Sequence, residues 1–295
     1  MRRFDMYVPA NLNDLLQYLE THQNGVHLIA NGSDLLNRIR RKQINAKVLV
    51  DLSGLSEFNY VKEEDGKMRI GALTTISDIV ASPVIDSRYQ VFREVAVRFG
   101  GPSIVNVATI GGNICAASSS EDLLPVLLVL DAQVRLKSKV GERILRLEDF
   151  LIAKRTIDLK PNEILVETMF RELDEDSTCA FEKIGMRNSL IIAFVNCAIY
   201  LKLDKNIKRT EQIRIAFNRV AGKIPERARQ TEDALRGKIL NESAVKDSLS
   251  VLKNELQLNS DFRVSKEYRT DVACVLFKRA LTRCFEKLMG EKILV

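Results

Sequence analysis

The stretch from Gly100 to Pro125, GGPSIVNVATIGGNICAASSSEDLLP, constrains this chain more than any other segment. It holds four of the 14 glycines in the sequence and carries almost no charge. Glycine adopts positive φ freely and has no Cβ, so Gly111-Gly112 can bring bare backbone N–H groups up to an anion. The pattern therefore predicts a ligand-binding loop.

Short polar side chains surround this backbone, namely Thr109, Asn113, Ser118, Ser119 and Ser120. Asp122 then begins an apolar helix, DLLPVLLVLDA, as its N-cap. Glycine and serine content alone would favour a surface loop between two packed elements. The apolar residues of the segment argue for a buried loop whose polar groups are satisfied inside the protein. These are Ile104, Val105, Val107, Ile110, Ile114 and Ala116.

Composition predicts a globular protein of two domains. The chain has 295 residues, of which 46% are apolar and 28% charged, and this is enough to bury a sizeable core. Its net charge of +6 is dispersed and lacks interleaved aromatic residues, which argues against nucleic-acid binding. The densest basic cluster, Arg38 to Lys42, is typical of a solvated helix face or a subunit contact.

The cysteines and histidines do not predict a metal site. The five cysteines are far apart and mostly in apolar sequence, so we expect reduced, buried thiols. With no CxxC motif and only His22 and His27, no usual zinc or iron–sulfur ligand set can be drawn. No signal peptide and no apolar run near 18 residues is found. We expect a cytoplasmic protein without membrane contact.

A strand, a polar turn and a helix follow one another near the N-terminus. Val26 to Ala30 is a predicted strand, and helical spacing of apolar residues resumes after Asn31-Gly32-Ser33-Asp34. This geometry places backbone N–H groups and a helix N-terminus before a phosphate. An ordinary turn in which Ser33 caps the helix is an equal alternative.

The remaining pattern predicts two folding regions. An Asp65-Gly66 hairpin joins Phe58–Val61 to Met68–Ala72, a second hairpin surrounds Val140-Gly141, and Glu163 to Phe170 is a strand. A polar break follows at residues 173–177. Beyond it, three long strands, 180–184, 191–203 and 211–220, precede helices at 225–235, 243–256 and 265–288. This order predicts an α+β module with helices on one face of an antiparallel sheet.

Several motifs resemble one family in order and separation. The run NVATIGGNICAASSSEDLLP closely resembles the flavin signature of the FAD-carrying medium subunits of molybdenum hydroxylases, the family of xanthine, carbon monoxide and nicotinate dehydrogenases. Further matching runs are LIANGSDLL, LVDLSGL, RIGALTTISDI, EILVE, FEKIGMR and DFRVSKEYR. Asn31 stands where the family usually has a first glycine, and asparagine tolerates positive φ better than most residues.

The resemblance implies a fold and a cofactor. It implies a two-lobed FAD-binding domain of the vanillyl-alcohol-oxidase type over residues 1–172, with lobes of about 1–55 and 56–172. An α+β domain, an antiparallel sheet with helices, is expected over residues 178–295. FAD is expected to be held without a covalent link, since neither histidine lies in a flavinylation motif of the relatives.

The resemblance also implies the residues of the cofactor site. The pyrophosphate and ribityl region is assigned to Leu28, Ile29, Ala30, Asn31, Gly32, Ser33, Asp34, Leu35, Ala108, Thr109, Ile110, Gly111, Gly112 and Asn113. Asp122 is assigned to a ribityl or ribose hydroxyl, with a plain N-cap as the alternative. Phe99, Leu165 and Lys183 match positions that line the adenine or isoalloxazine, although Phe99 and Leu165 alone would be interpreted as core. Lys183 would place a cation near flavin N1, or else face water at a strand edge.

The sequence contains no catalytic acid, base or nucleophile set and no metal ligands of its own, which favours an electron-transfer subunit of an oxidoreductase. The resemblance implies partners: a large molybdenum-cofactor subunit and a small iron–sulfur subunit, as a dimer of heterotrimers. FAD would pass electrons from the iron–sulfur clusters to an external acceptor, which the sequence leaves open. Two alternatives are a stand-alone flavin reductase of the same superfamily and a flavin-free scaffold subunit.

Overall fold

The chain folds into two compact units that interleave along the sequence. The computed structural model describes residues 3–186, 192–218 and 225–291. The first unit comprises residues 1–84, 101–117 and 132–170, and the second comprises 85–100, 118–131 and the chain from 171 onward. Two segments from the first half of the chain therefore fold with its C-terminal half.

The first unit begins with three parallel strands in the order β1-β3-β2 and two helices. The elements are β1 (Asp5–Tyr7), α1 (Leu12–Thr21), β2 (Val26–Ile29), α2 (Leu35–Arg40) and β3 (Val48–Asp51). Asn11 caps α1, since its side chain accepts a hydrogen bond from the Asp14 amide at 3.0 Å.

Both faces of this small sheet are covered. Leu15 and Leu19 of α1 pack in a buried cluster with Val50. The next residue towards the N-terminus, Leu49, joins Ile39 of α2 in a second cluster. Successive side chains of a strand point to opposite faces, so the apolar run of β3 supplies both.

A five-stranded sheet with order β4-β5-β10-β6-β7 completes the strands of the first unit, beside a short hairpin of β8 and β9. The elements are β4 (Val61–Glu64), β5 (Lys67–Gly71), β6 (Gln133–Ser138), β7 (Gly141–Arg146), β8 (Leu151–Ala153), β9 (Thr156–Ile157) and β10 (Ile164–Arg171). Asp65 and Gly66, with φ of 53° and 67°, form the turn predicted from the sequence. The ladder before this turn runs over Val61–Glu64, later than the predicted Phe58–Val61.

Four short helices belong to the first unit. They are α3 (Ile76–Ala81), α5 (Pro102–Val105), α6 (Ile110–Ala116) and α8 (Leu147–Phe150). The prediction of a loop from Gly100 to Pro125 is wrong over α5 and α6. Pro102 occupies the first turn of α5, and Thr109 caps α6 by accepting from the Gly112 amide at 3.0 Å.

The second unit is built on an antiparallel sheet of order β11-β12-β13-β14. Its elements are α4 (Gln90–Phe99), α7 (Leu123–Val129), β11 (Ser177–Ile184), β12 (Val195–Asp204), β13 (Arg209–Asn218), β14 (Glu226–Arg227), α9 (Arg229–Leu235), α10 (Glu242–Glu255) and α11 (Lys266–Met289). The three long strands, α10 and α11 lie close to their predicted positions. The predicted strand ends at residues 191 and 219–220 lie outside the described residues.

Helices cover both faces of this sheet, whereas the sequence predicts them on one. Val195, Cys197 and Ile199 form one buried cluster with Leu276 and Phe277 of α11. The alternate side chains face α4 and α7 instead. Lys183 donates to the carbonyl of Arg98 in α4, and Arg214 donates to the carbonyl of Val129 in α7. Because α4 and α7 come from residues 90–99 and 123–129, the C-terminal pattern alone cannot predict them.

A second difference concerns Glu226 and Arg227, which were predicted to be helical. They form β14 and pair with Ala216–Phe217. The Arg227 guanidinium donates to both carboxylate oxygens of Glu232, at 2.9 and 2.6 Å, and the Ile215 amide donates to the same carboxylate at 2.8 Å. This buried ion pair attaches the start of α9 to the sheet.

Two expectations about composition can be compared with the described chain. The five cysteines are free thiols, as predicted, and all except the partly buried Cys115 are buried. Among the helices of the described residues, none combines the length and the apolar character needed to cross a membrane.

We predict that Arg227→Met lowers the free energy of unfolding by about 3–5 kcal/mol, because it leaves the buried Glu232 carboxylate without its cation. Side chains of Arg227 and Glu232 are 8% and 1% exposed. Urea unfolding measures the loss. Arg236→Met is the control, since its pair with Asp233 is exposed and should change stability by about 1 kcal/mol or less. Equal losses in both variants would contradict the prediction.

Candidate functional site

The first predicted turn lies between β2 and α2. Gly32 has φ +76°, which favours glycine. The backbone amides of Gly32, Ser33 and Asp34 donate to no oxygen of the described residues. They precede the first residue of α2, where helix N–H groups have no intrahelical acceptor. The turn therefore presents consecutive N–H donors that an oxyanion can satisfy.

Ser33 does not cap α2 in this structure. Asp34 is the N-cap residue, and its side chain makes no capping hydrogen bond. The expected positive φ of Asn31 is also absent, as only Gly32 has positive φ in the turn. The side chain of Asn31 donates instead to the carbonyl of Val107 at 2.9 Å.

The second predicted turn is the start of α6. The backbone amides of its two glycines, Gly111 and Gly112, are already hydrogen-bonded within the protein. Gly111 donates its amide to the Ala72 carbonyl at 2.9 Å, and Gly112 donates its amide to Thr109 Oγ1. The prediction that they present bare N–H groups is wrong for this structure, and neither has positive φ. The reason for Gly111 is close packing, since a Cβ there would lie 2.6 Å from the Ala72 carbonyl oxygen.

Arg155, which sequence reasoning missed, joins the first turn to the C-terminal end of α6. Its Nη1 donates to Asp34 Oδ2 at 2.8 Å and to the Ala116 carbonyl at 2.9 Å, and its Nη2 donates to Asp34 Oδ1 at 3.3 Å. Its backbone amide donates to the Ala117 carbonyl at 2.8 Å. Arg155 lies at the tip of the β8–β9 hairpin with φ +64°, in a stretch without a motif.

The titratable groups near the first turn keep it positive. Arg38 Nη1 lies 3.9 Å from Asp34 Oδ2. Burial, and to a smaller extent the neighbouring charge of Arg155, lowers the pKa of the Arg38 guanidinium below its usual high value. Burial, and then the charge of Arg38, lowers the pKa of His27, so its ring is neutral at pH 7. Burial raises the pKa of the Cys115 thiol in α6 to about 12, so it is not a nucleophile.

The second unit contains a buried polar group at the start of α7. The side chains of Lys183 and Asp122 are 2% and 5% exposed, and Lys183 Nζ lies 2.5 Å from Asp122 Oδ2. Lys183 Nζ also donates to the Arg98 carbonyl at 2.8 Å, and Asn196 Nδ2 donates to Asp122 Oδ1 at 2.8 Å. Lys183 therefore does not face water, and Asp122 occupies the predicted N-cap position of α7 without a side-chain capping hydrogen bond.

Lys183, Asn196 and Asn218 form a polar row across three strands. Lys183 is opposite Asn196, and Asn196 is opposite Asn218. Asn218 donates its side-chain amide to the Glu121 carbonyl at 2.6 Å. Sequence reasoning missed both asparagines, although a polar residue inside an apolar strand, as in VNCAIY, is a usable signal.

The structure thus brings the predicted residues together in two groups. Residues 28–35 and 108–113 both belong to the first unit, where Asn31 donates to Val107, the residue directly before the second run. Leu165 is buried in β10 of the same unit, beside a β-bulge. Asp122 and Lys183 meet in the second unit, where Phe99 is the half-buried last residue of α4.

Comparison with known proteins identifies the family. Residues 2–170 match the FAD-binding domain in molybdopterin dehydrogenase, and residues 180–284 match the CO dehydrogenase flavoprotein C-terminal domain. The chain belongs to this family. The resemblance inferred from the motifs is confirmed, and with it the assignment to FAD-binding subunits of molybdenum-cofactor oxidoreductases.

The relatives match over almost their whole length. The chain is 31% identical to the glyceraldehyde dehydrogenase medium chain of Sulfolobus acidocaldarius, covering 93% of this chain and 96% of the relative. It is 28% identical to the nicotinate dehydrogenase FAD-subunit of Eubacterium barkeri, covering 98% and 99%. A solved structure of carbon monoxide dehydrogenase from Hydrogenophaga pseudoflava is similar, with a TM-score of 0.91, 26% identity and coverage of 97% and 98%.

We predict that Gly111→Ala lowers the free energy of unfolding by about 1–3 kcal/mol, because the new methyl group meets the backbone of Ala72. Gly54→Ala is the matched control, since a Cβ at Gly54 has no atom within 4 Å. Its effect should stay within about 0.5 kcal/mol. Urea unfolding compares the two, and an unchanged stability of Gly111→Ala would show that close packing is not why glycine occupies this position.

Proposed function

We propose that this chain binds FAD without a covalent link and passes electrons from iron–sulfur clusters of a partner subunit to an external acceptor. The observation that carries the proposal is the pair of joined turns in the first unit. Consecutive unpaired amides at Gly32, Ser33 and Asp34 fit the oxygens of a pyrophosphate. Family membership supplies the identity of the nucleotide.

Residues of the first unit would hold the phosphates. The backbone of residues 28–35 would donate to them, and Val107, directly before residues 108–113, accepts a hydrogen bond from Asn31 and so links the two runs. Arg155 keeps Asp34 turned towards itself, so that this carboxylate does not oppose the phosphate charge. Leu165 completes the predicted residues of this unit as an apolar contact.

Residues of the second unit would bind the polar parts of the flavin nucleotide. Asp122 is proposed to accept from a hydroxyl, and Lys183 to place its cation near the flavin ring, with Phe99 as an apolar neighbour. Lys183 is held where the last carbonyls of α4 favour a positive charge. A bound flavin supplies the redox chemistry, and a nearby cation stabilises its reduced anionic form.

The finer fold assignments belong to the same proposal. We propose the vanillyl-alcohol-oxidase-type fold for residues 1–172, with lobes of about 1–55 and 56–172, and a C-terminal α+β domain at 178–295. The family matches at residues 2–170 and 180–284 support a boundary between them. The cytoplasmic location stays a prediction.

We propose two partners, a large molybdenum-cofactor subunit and a small iron–sulfur subunit, arranged as a dimer of heterotrimers. Several relatives are described as medium chains or FAD-subunits of dehydrogenases, which supports partners of other sizes. The match of residues 180–284 to a CO dehydrogenase flavoprotein domain favours this role over a stand-alone reductase. The external acceptor would approach an exposed face of the flavin.

We predict that the native protein releases FAD on denaturation, in a ratio near one per chain. The consecutive amides of Gly32 to Asp34, which have no acceptor among the described residues, suit a pyrophosphate, which FMN lacks. Chromatography of the released flavin decides this, with authentic FAD and FMN as standards. FMN alone would contradict the dinucleotide, and no flavin would favour a scaffold subunit.

We also predict that the chain copurifies from its native host with one larger molybdenum-containing chain and one smaller iron–sulfur chain. Alone it should oxidise no aldehyde, purine or aromatic substrate, since the sequence has no catalytic set for such a reaction. A pull-down at low salt, with metal analysis of the bands, measures this. A lone, monodisperse subunit that turns over an organic substrate would overturn the proposal.

A further inference from the structure

Asn196 lies at the centre of the polar row and is completely buried. Its neighbour two residues along β12 on the same face, Ala198, is apolar, as is Ala216 on β13. A buried amide side chain costs free energy unless both its donor and its acceptor are satisfied. The two ends of the Asn196 side chain therefore need separate explanations.

Among the residues that the structure describes, only the donor end of Asn196 finds a partner. Asn196 Nδ2 donates to Asp122 Oδ1 at 2.8 Å. Its Oδ1 is buried and accepts no hydrogen bond from the described residues. Exchanging the nitrogen and oxygen does not resolve this, because an amide oxygen would then face the Asp122 carboxylate, and both are acceptors. The orientation is thus fixed, and the described residues leave the acceptor open to a further donor.

Building on the proposed flavin function, we infer that Asn196 is a cofactor-binding residue whose Oδ1 accepts a hydrogen bond from a hydroxyl of the flavin nucleotide. Its amide nitrogen meanwhile holds the Asp122 carboxylate in position beside Lys183. A hydroxyl both donates and accepts, so it fits a place that offers an unused acceptor and a cation. A phosphate oxygen can only accept, so it cannot donate to Asn196 Oδ1. A ring N–H can only donate, so it offers the Lys183 ammonium no acceptor.

The test titrates the full-length chain, freed of flavin, with FAD and follows the quenching of flavin fluorescence. Asn196→Leu keeps a similar volume but removes both polar ends. We expect its Kd for FAD to rise about tenfold, as loss of one hydrogen bond to a desolvated partner implies. ADP serves as a second ligand, since it has the ribose but no ribityl chain, and its binding is measured by calorimetry because it carries no flavin. Weaker binding of FAD alone assigns the ribityl hydroxyls, and weaker binding of both ligands assigns the ribose.

Thr210→Val is the matched control. Thr210 lies on β13 of the same sheet, is completely buried, and its Oγ1 likewise has no partner among the described residues. Removing that hydroxyl should leave the Kd for FAD within about twofold of wild type. A general effect of removing a buried polar group from this sheet would appear equally in both variants, and would count against the inference.

Asn196→Asp provides a second variant, because its side chain keeps the shape of asparagine while its charge changes. It loses the donor to Asp122 and places two carboxylates side by side, so FAD should again bind at least tenfold more weakly. If both Asn196 variants bind FAD within twofold of wild type, the inference is wrong. Wild-type chain that binds no FAD would instead refute the proposed function itself.

Discussion

The buried ion pair between Lys183 and Asp122 determines where three distant parts of the second unit meet. Its ammonium group also bonds the last turn of α4, and its carboxylate precedes α7 and bonds β12. A lysine with 2% exposure can stay charged only with such partners. The C-terminal sheet therefore packs against residues 85–100 and 118–131, so the second unit is built from both halves of the chain.

In the first unit, side chains position a turn whose backbone amides have no acceptor among the described residues. Asn31 bonds the carbonyl of Val107, and Arg155 bonds Asp34 and the carbonyl of Ala116. These bonds hold the turn through side chains and do not use its backbone amides. Arg155 also neutralises Asp34, the one acidic group at the turn. The first unit thus offers amide donors, and the second unit offers a cation with hydrogen-bond acceptors.

Local signals in the sequence were reliable where the cause of the structure is local. Asp65-Gly66 turns the β4–β5 hairpin as predicted, because such a turn depends on φ values within two residues. The caps at Asn11 and Ser265 are equally local, since each side chain accepts from an amide three residues later. Gly111 shows the limit of such reasoning. The sequence suggested that glycine is needed at this position for its backbone conformation. The structure shows that glycine is needed because the backbone of Ala72, which is 39 residues earlier and outside any local pattern, lies too close for a Cβ.

The sequence by itself determined the family, the order of most strands and helices, and the residues of the two candidate groups. Ordered motifs and period-2 or helical spacing carry that information along the chain. Only the tertiary structure decided that α4 and α7 cover the second sheet, that Lys183 is buried against Asp122, and that Arg155 and Asn196 belong beside the predicted residues. These depend on strand register and on contacts across 39 to 121 residues, which no spacing in one sequence encodes.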